Sequence, residues 1–292
     1  MNRHLFIFGF GFSSEAIASR VLEDGWFVTG TTRSKDKAER ILRKGVTPVL
    51  FGGEADDETL DEELEEASHV LVSIAPDGDG DPVLRSCRDK LMALKDLKWI
   101  GYLSTVGVYG DHDGAWVDED TEPKPVSRRS VERVAAEKAW RAFAAEKGVP
   151  LAIFRLSGIY GPGRNTFKKA MAGETRRLVK KDQVFNRIHR EDIGKAVRLA
   201  MSKKADGIFN ITDNEPAPPQ DVVAFAHELA GTPPPPEQDF ATAKLTPMAR
   251  SFYGENKRVS NAKSKEILGM EYDWPDYRTS LKRMWKEGSW KG

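Results

Sequence analysis

The amino-acid sequence predicts an α/β fold, a doubly wound parallel sheet with a smaller interleaved C-terminal domain, on three observations. Near the N-terminus an apolar run, Leu5-Phe6-Ile7-Phe8, leads into two glycines, Gly9 and Gly11, and then into Ile17, Ala18, Val21 and Leu22 at helical spacing. Further short apolar runs follow at residues 70–75, 99–103 and 151–156, with segments of helical periodicity between them. Strands apolar on both faces that alternate with helices belong to a parallel sheet covered on both sides. From residue 157 onward, glycine-proline turns and shorter helical segments replace that alternation.

Strand, glycine turn and helix in that order place backbone N–H groups and the positive end of a helix against a phosphate. Gly9 suits the tight turn and Gly11 a close approach of the backbone to a pyrophosphate. Ser14 stands where the dinucleotide fingerprint asks for a third glycine; it is small, and its hydroxyl can cap the helix. Gly9, Gly11, Phe12, Ser13 and Ser14 are therefore candidate cofactor contacts. The run is too short for a signal peptide, and Glu15 and Arg20 follow it at once.

Gly25 ends the first helix, and residues 27–32, rich in β-branched side chains, form the second strand. In dinucleotide folds an acid at the end of this strand holds the ribose 2′-OH of NAD, whereas an arginine accommodates the 2′-phosphate of NADP. This chain has Thr32, Arg33 and Ser34 there and no acid, which favours NADP, with NAD as the second candidate. The alternative is a solvated Arg33 opening the helix 35–43.

Residues 47–51 form a third strand. The acidic segment 56–67 reads as a solvated helix whose carboxylates face several ways and build no metal cage. Ala75 and Pro76, at the end of the fourth strand (70–75), would adjoin the cofactor. The loop 76–82 lacks the closing glutamate of a calcium loop and is expected to be a flexible flap over the cofactor. After the helix 83–94, the fifth strand (99–103) runs into Ser104-Thr105-Val106-Gly107-Val108-Tyr109-Gly110. Hydroxyls at the carboxyl end of such a strand lie where open α/β sheets bind ligands. A long polar loop (111–125), a helix (127–147) and a sixth strand (151–156) come next. Residues 157–165 form a glycine-proline loop with no strand partner, and the helix 190–201 and strand 207–212 return to the sheet. A helix at 217–230, a rigid spacer through Pro233-Pro234-Pro235-Pro236 and closing helices at 261–268 and 277–287 complete the chain. Residues 1–157 are thus a dinucleotide-binding domain, its sheet completed by about 187–213, and residues 158–292 are mainly a substrate domain.

Composition sets the remaining bounds. The 292 residues suffice for a large core, and 45 Lys plus Arg balance 45 Asp plus Glu, which argues against a general nucleic-acid footprint. The single cysteine, Cys87, excludes an intramolecular disulfide and a cysteine-rich metal site, and no metal constellation is visible. No apolar run approaches the roughly 20 residues of a membrane span. A cytoplasmic protein with a small-molecule partner, and neither a nucleic acid nor a membrane, is expected; a homodimer is compatible with the sequence.

Taken together, the motifs resemble the extended short-chain dehydrogenase/reductase superfamily, also called the NAD-dependent epimerase/dehydratase family, with its Rossmann-type sheet. Residues 104–110 are similar to that family's fifth-strand motif, and Arg155-Leu156-Ser157-Gly158-Ile159-Tyr160-Gly161-Pro162-Gly163-Arg164 to its substrate-domain motif. Arg187-Ile188-His189-Arg190-Glu191-Asp192-Ile193, Gly207-Ile208-Phe209-Asn210-Ile211 and Asn256-Lys257-Arg258-Val259-Ser260-Asn261 with Leu268-Gly269 follow in the family's order. The resemblance covers nearly the whole chain and implies NAD(P)-dependent oxidoreductase or epimerase chemistry on a small polar or nucleotide-sugar-like substrate.

One departure bears on that chemistry. The resemblance implies a catalytic tyrosine and, four residues on, a lysine on the helix 127–147; aligned on Ala136-Glu137-Lys138, this chain has Arg129 and Arg133 there. An arginine is permanently protonated and cannot act as a base, but it binds carboxylates and phosphates bidentately. Thr105, in the position of the family's serine or threonine, and Tyr160 are the remaining catalytic candidates. Arg129, Arg133, Arg164 and His189 are the candidates for holding substrate. Thr105, Tyr160, the pair Arg129 and Arg133, and His189 have alternatives: a strand threonine, a packing tyrosine, solvated arginines and a structural histidine that starts a helix. An enzyme and a non-catalytic NAD(P)-binding sensor or regulatory protein both stay open.

Overall fold

The computed structural model describes residues 3–53 and 58–292; the expected start of the acidic helix at 56 lies outside them. Along the chain come β1 (His4–Phe8), α1 (Phe12–Glu23), β2 (Phe27–Thr32), α2 (Lys35–Leu42), β3 (Thr47–Leu50), α3 (Glu58–Glu65), β4 (His69–Val72), α4 (Pro82–Ala93) and β5 (Trp99–Thr105). A 3-10 turn (Val106–Tyr109) and β6 (Trp116–Val117) precede α5 (Arg128–Lys147), β7 (Leu151–Leu156), β8 (Gly158–Tyr160), α6 (Thr166–Met171), β9 (Arg177–Val179), β10 (Arg187–His189), α7 (Arg190–Lys203) and β11 (Gly207–Ile211). The chain closes through α8 (Pro219–Leu229), β12 (Glu237–Asp239), α9 (Pro247–Ser251), β13 (Arg258–Val259), α10 (Ala262–Leu268) and α11 (Tyr277–Glu287).

Side-chain alternation along β1 sets the layers. Leu5 and Ile7 face one side, against Ile17 and Val21 of α1 and Ala196, Val197 and Ala200 of α7. Phe6 and Phe8 face the other, against Leu64 of α3, Leu91 of α4 and Trp140 and Phe143 of α5. Burying each such side chain stabilises the fold by about 1.5–3 kcal/mol, which is why the strands read as continuous apolar runs. The α1–α7 seam is tight: a Cβ on Gly194 would lie 2.8 Å from the Ala16 carbonyl oxygen. A third cluster, Phe167 of α6, Val222 and Ala226 of α8, and Leu281 and Met284 of α11, packs on its own rather than on either sheet face.

The central sheet runs β11-β7-β5-β4-β1-β2-β3, and its neighbours are parallel. Strand β11 returns to the sheet, as expected, and takes the edge beside β7. The order reverses about β1, so the crevice between the carboxyl ends of β1 and β4 is the switch point at which such sheets bind ligands.

Two expectations are corrected. The segment after β7 has a strand partner: β8 pairs in parallel with β10, Gly158 opposite Arg187 and Tyr160 opposite His189. Three-residue strands carry too few alternations for a period to be read. The loop after β4 is a closed turn rather than a flexible flap. Asp77 and Gly80 exchange backbone hydrogen bonds of 3.0 and 3.1 Å, and Arg85 binds the Asp77 carboxylate at 3.0 Å.

Candidate functional site

Gly9 and Gly11 differ in what they require. Gly9 has φ +89°, and a Cβ there would stand 2.8 Å from the Ile74 side chain, so both backbone and packing demand glycine. Its N–H donates to the Thr31 hydroxyl at 2.7 Å, and its carbonyl accepts from the Ser14 hydroxyl at 2.8 Å. Gly11 has φ −116° and ψ −162°, open to any residue, and a Cβ there would meet nothing within 4 Å. Neither the backbone conformation nor the packing requires a glycine at Gly11. Gly11 caps α1 without a side chain, which leaves the first-turn N–H groups of Phe12, Ser13 and Ser14 for an anion. These residues fit a dinucleotide pyrophosphate.

At the end of β2, the Thr32 hydroxyl accepts from the Ser34 N–H at 3.3 Å, and Ser34 caps α2 through the Lys37 N–H at 3.4 Å. Arg33 is exposed and has no ion pair among the described residues, so its guanidinium is available to a 2′-phosphate. Ala75 and Pro76 follow β4 on the crevice side of the switch point.

Beyond the carboxyl ends of β5 and β7 opens a cavity of about 1390 Å³, bounded by Thr105, Ser157, the start of α5 and the walls formed by α6, β10 and α11. Among its described lining residues, seven side chains are basic and one, Glu255, is acidic. Glu255 is already paired with Lys257 at 2.5 Å. In a chain of zero net charge this concentration of cations gives the cavity a distinctly positive character. Arg129 and Arg133 share it, one turn apart on α5, which starts at the Ser127 cap (Ser130 N–H to Ser127 hydroxyl, 3.1 Å). Arg129 is exposed and has no ion pair among the described residues. Arg133 is held in place, donating to the Tyr102 hydroxyl at 3.0 Å and the Leu103 carbonyl at 2.9 Å. The Thr105 hydroxyl lines the same cavity and accepts from the Gly107 N–H at 3.1 Å, which leaves its own proton to donate. Arg164 lines it from the turn after β8.

Two candidates take other roles. Tyr160 lines the cavity, but its hydroxyl is enclosed and makes no hydrogen bond within 3.5 Å among the described residues; burial first, then the nearby Asp213 carboxylate, pushes its pKa up. An enclosed hydroxyl does not reach a substrate in the cavity, which takes Tyr160 out of the catalytic candidates. His189 is fully buried, does not line the cavity, caps α7 by accepting the Glu191 N–H at 3.3 Å, and stacks on Trp274. It is a structural histidine rather than a substrate ligand.

Sequence reading missed Arg187 and the pair Glu137–Arg155. Arg187 lines the cavity, spends one nitrogen on the Phe185 and Ala217 carbonyls at 2.9 and 3.2 Å, and has its pKa lowered by burial. Arg155 donates to Glu137 at 2.8 and 3.2 Å beneath the cavity, tying α5 to β7 and so fixing where Arg129 and Arg133 sit. A charge inside the apolar run Leu151-Ala152-Ile153-Phe154-Arg155-Leu156 was the available signal.

The parallel sheet, its strand order and the glycine turn at the carboxyl end of β1 define a protein of the dinucleotide-binding fold class. The chain belongs to the NAD dependent epimerase/dehydratase family, whose model matches residues 6–212. It is similar to protein YeeZ of Escherichia coli (strain K12), 28% identical over 284 residues that cover 92% of this chain and 96% of that one. A functionally unknown conserved protein from Silicibacter pomeroyi DSS superposes with a TM-score of 0.90 at 45% identity, covering 98% of this chain and 99% of the other. The UDP-N-acetylglucosamine 4-epimerase of Bacillus cereus shares the fold, with a TM-score of 0.75 at 19% identity over 99% of both chains. Among the described residues no helix is long and apolar enough to cross a membrane, and no group of ligands could hold a metal ion.

Proposed function

We propose that this protein binds NADP(H) in the crevice between β1 and β4 and supports oxidoreductase or epimerase chemistry on a small anionic substrate, nucleotide-sugar-like or otherwise phosphorylated or carboxylated. The observation that carries this reading is the imbalance of seven basic side chains to one paired carboxylate around the cavity beyond the carboxyl ends of β5 and β7. The bound nicotinamide would supply hydride acceptance and donation. The protein would supply the rest. Arg129 and Arg187 bind the anionic group, and Thr105 donates a hydrogen bond to the reacting oxygen. Arg133 fixes the end of β5.

The test is a screen of NADPH oxidation with phosphorylated and carboxylated carbonyl compounds against their neutral counterparts. Turnover confined to the anionic compounds is expected. Thr105→Ala should lower kcat, Arg129→Ala should chiefly raise KM, and Tyr160→Phe should change neither. Preference for neutral compounds would refute the substrate class.

A second reading is favoured by one observation: among its described lining residues the cavity has no histidine, no cysteine and no unpaired carboxylate to move a proton. In that reading the protein is an NAD(P)-binding sensor, and calorimetry would find cofactor binding with no turnover on any anionic carbonyl compound.

A further inference from the structure

Arg164 lines the cavity, yet its guanidinium also lies 5.6 Å from the centroid of the Phe12 ring, at the start of α1 just after the glycine turn. A second guanidinium, that of Arg190, lies over the same ring at 4.9 Å. The two are in different electrostatic situations. Arg190 is neutralised by Glu191 at 3.3 Å and Glu15 at 3.8 Å, whereas Arg164 has no ion pair among the described residues. Its backbone is not free to drift. Gly161 and Arg164 exchange backbone hydrogen bonds of 3.0 Å, the Gly163 N–H donates to the Trp290 carbonyl at 3.2 Å, and the Asn165 amide spans the Gly161 and Trp290 carbonyls at 2.9 Å each. A rigid turn outside the central sheet therefore carries an unneutralised cation to the uncapped end of α1.

We propose that Arg164 serves the cofactor rather than the substrate, as a clamp on the dinucleotide pyrophosphate supplied from the turn after β8; this rests on the dinucleotide reading given above. A pyrophosphate on the α1 N-terminus meets only neutral N–H donors from the glycine turn, and a guanidinium adds the charge and paired donors that this group takes best. Phe12 supports the guanidinium from beneath.

The experiment is calorimetry of NADPH, NADH and adenosine 2′-monophosphate, which lacks the pyrophosphate, on the wild type, Arg164→Ala, Arg164→Lys and Arg33→Ala. Arg164→Ala should weaken NADPH and NADH alike by about 10- to 100-fold, the range of a charged hydrogen bond. It should leave adenosine 2′-monophosphate unchanged. Arg164→Lys should recover part of the loss, since a point charge replaces the fork. Arg33→Ala should show the complementary pattern, with NADPH and adenosine 2′-monophosphate weakened and NADH spared. Undiminished NADPH affinity in Arg164→Ala, or an equal loss for adenosine 2′-monophosphate, would overturn the clamp and leave the dinucleotide reading standing. A wild type that binds none of the three overturns both. An unchanged thermal midpoint in Arg164→Ala, expected for an exposed side chain, separates lost contact from lost fold.

Discussion

The imidazole of His189 lies flat on the indole of Trp274, their ring centroids 3.7 Å apart and their planes within 15° of parallel. Burial, reinforced by the charges of Arg190, Arg283 and Arg20, lowers the His189 pKa from 6.5 to about 3. In the folded state it is neutral, and the unfolded chain binds the proton that the fold refuses. Between pH 6.5 and about 3, His189 therefore withdraws stability as pH falls, by about 1.4 kcal/mol per pH unit. Asp192, raised to about 6 by burial, acts in the opposite sense over part of that range, since its folded state gains the proton first. The difference between variants isolates the histidine. His189→Asn, which keeps a cap for α7, should be destabilised at pH 7 but lose stability less steeply toward pH 4, closing roughly 3 kcal/mol of the gap. Urea unfolding at pH 6, 5 and 4 measures it; parallel pH curves would refute the assignment.

Glu137→Gln leaves Arg155 buried with no anion, since both side chains are at most 3% exposed. Breaking such a pair costs about 3–5 kcal/mol, whereas replacing both partners by apolar residues is often close to neutral. Chemical denaturation should therefore show Glu137→Gln far less stable than the double variant Glu137→Leu/Arg155→Met.

The glycine turn should separate binding from folding. Gly11→Val should abolish NADPH binding with little change in thermal midpoint, because the backbone is extended and the added Cβ meets nothing. Gly9→Val should lower the midpoint itself, through its positive φ and the Ile74 clash. Calorimetry and thermal unfolding on the two variants give the contrast directly, and retained binding in Gly11→Val would count against the crevice.

Cofactor choice should hang on the end of β2. Arg33→Ala should reduce NADPH affinity by about one to two decades, since a charged hydrogen bond contributes about 1.5–3 kcal/mol, and should barely move NADH. Equal wild-type affinity for the two dinucleotides would contradict an NADP preference.

The strands and helices of the sheet were legible because each buries a complete period: β7 and α11 fall at the expected residues, and β11 returns to the sheet. The β8–β10 pairing was not legible, because three residues hold no period. At the site, the residues of the glycine turn come together at the crevice, since a local motif carries its geometry with it. Tyr160 and His189 did not keep their expected roles because those depended on where a side chain points after distant segments pack. Trp274, which covers His189, is 85 residues away in sequence. The cationic cavity was hidden for a related reason: a zero net charge says nothing of how the charges are sorted in space.

The contact of Gly194 with the Ala16 carbonyl bears on where the molecule can bend. Helix α7, which directly follows β10 of the cavity wall, is seated backbone against backbone on α1, the helix that would receive the pyrophosphate. No side chain at Gly194 is present to act as a sliding bearing, so that seam resists hinge motion. Breathing of the cavity is then left to the separately packed α6, α8 and α11, whose amides should exchange with solvent deuterium sooner than those of α1 and α7.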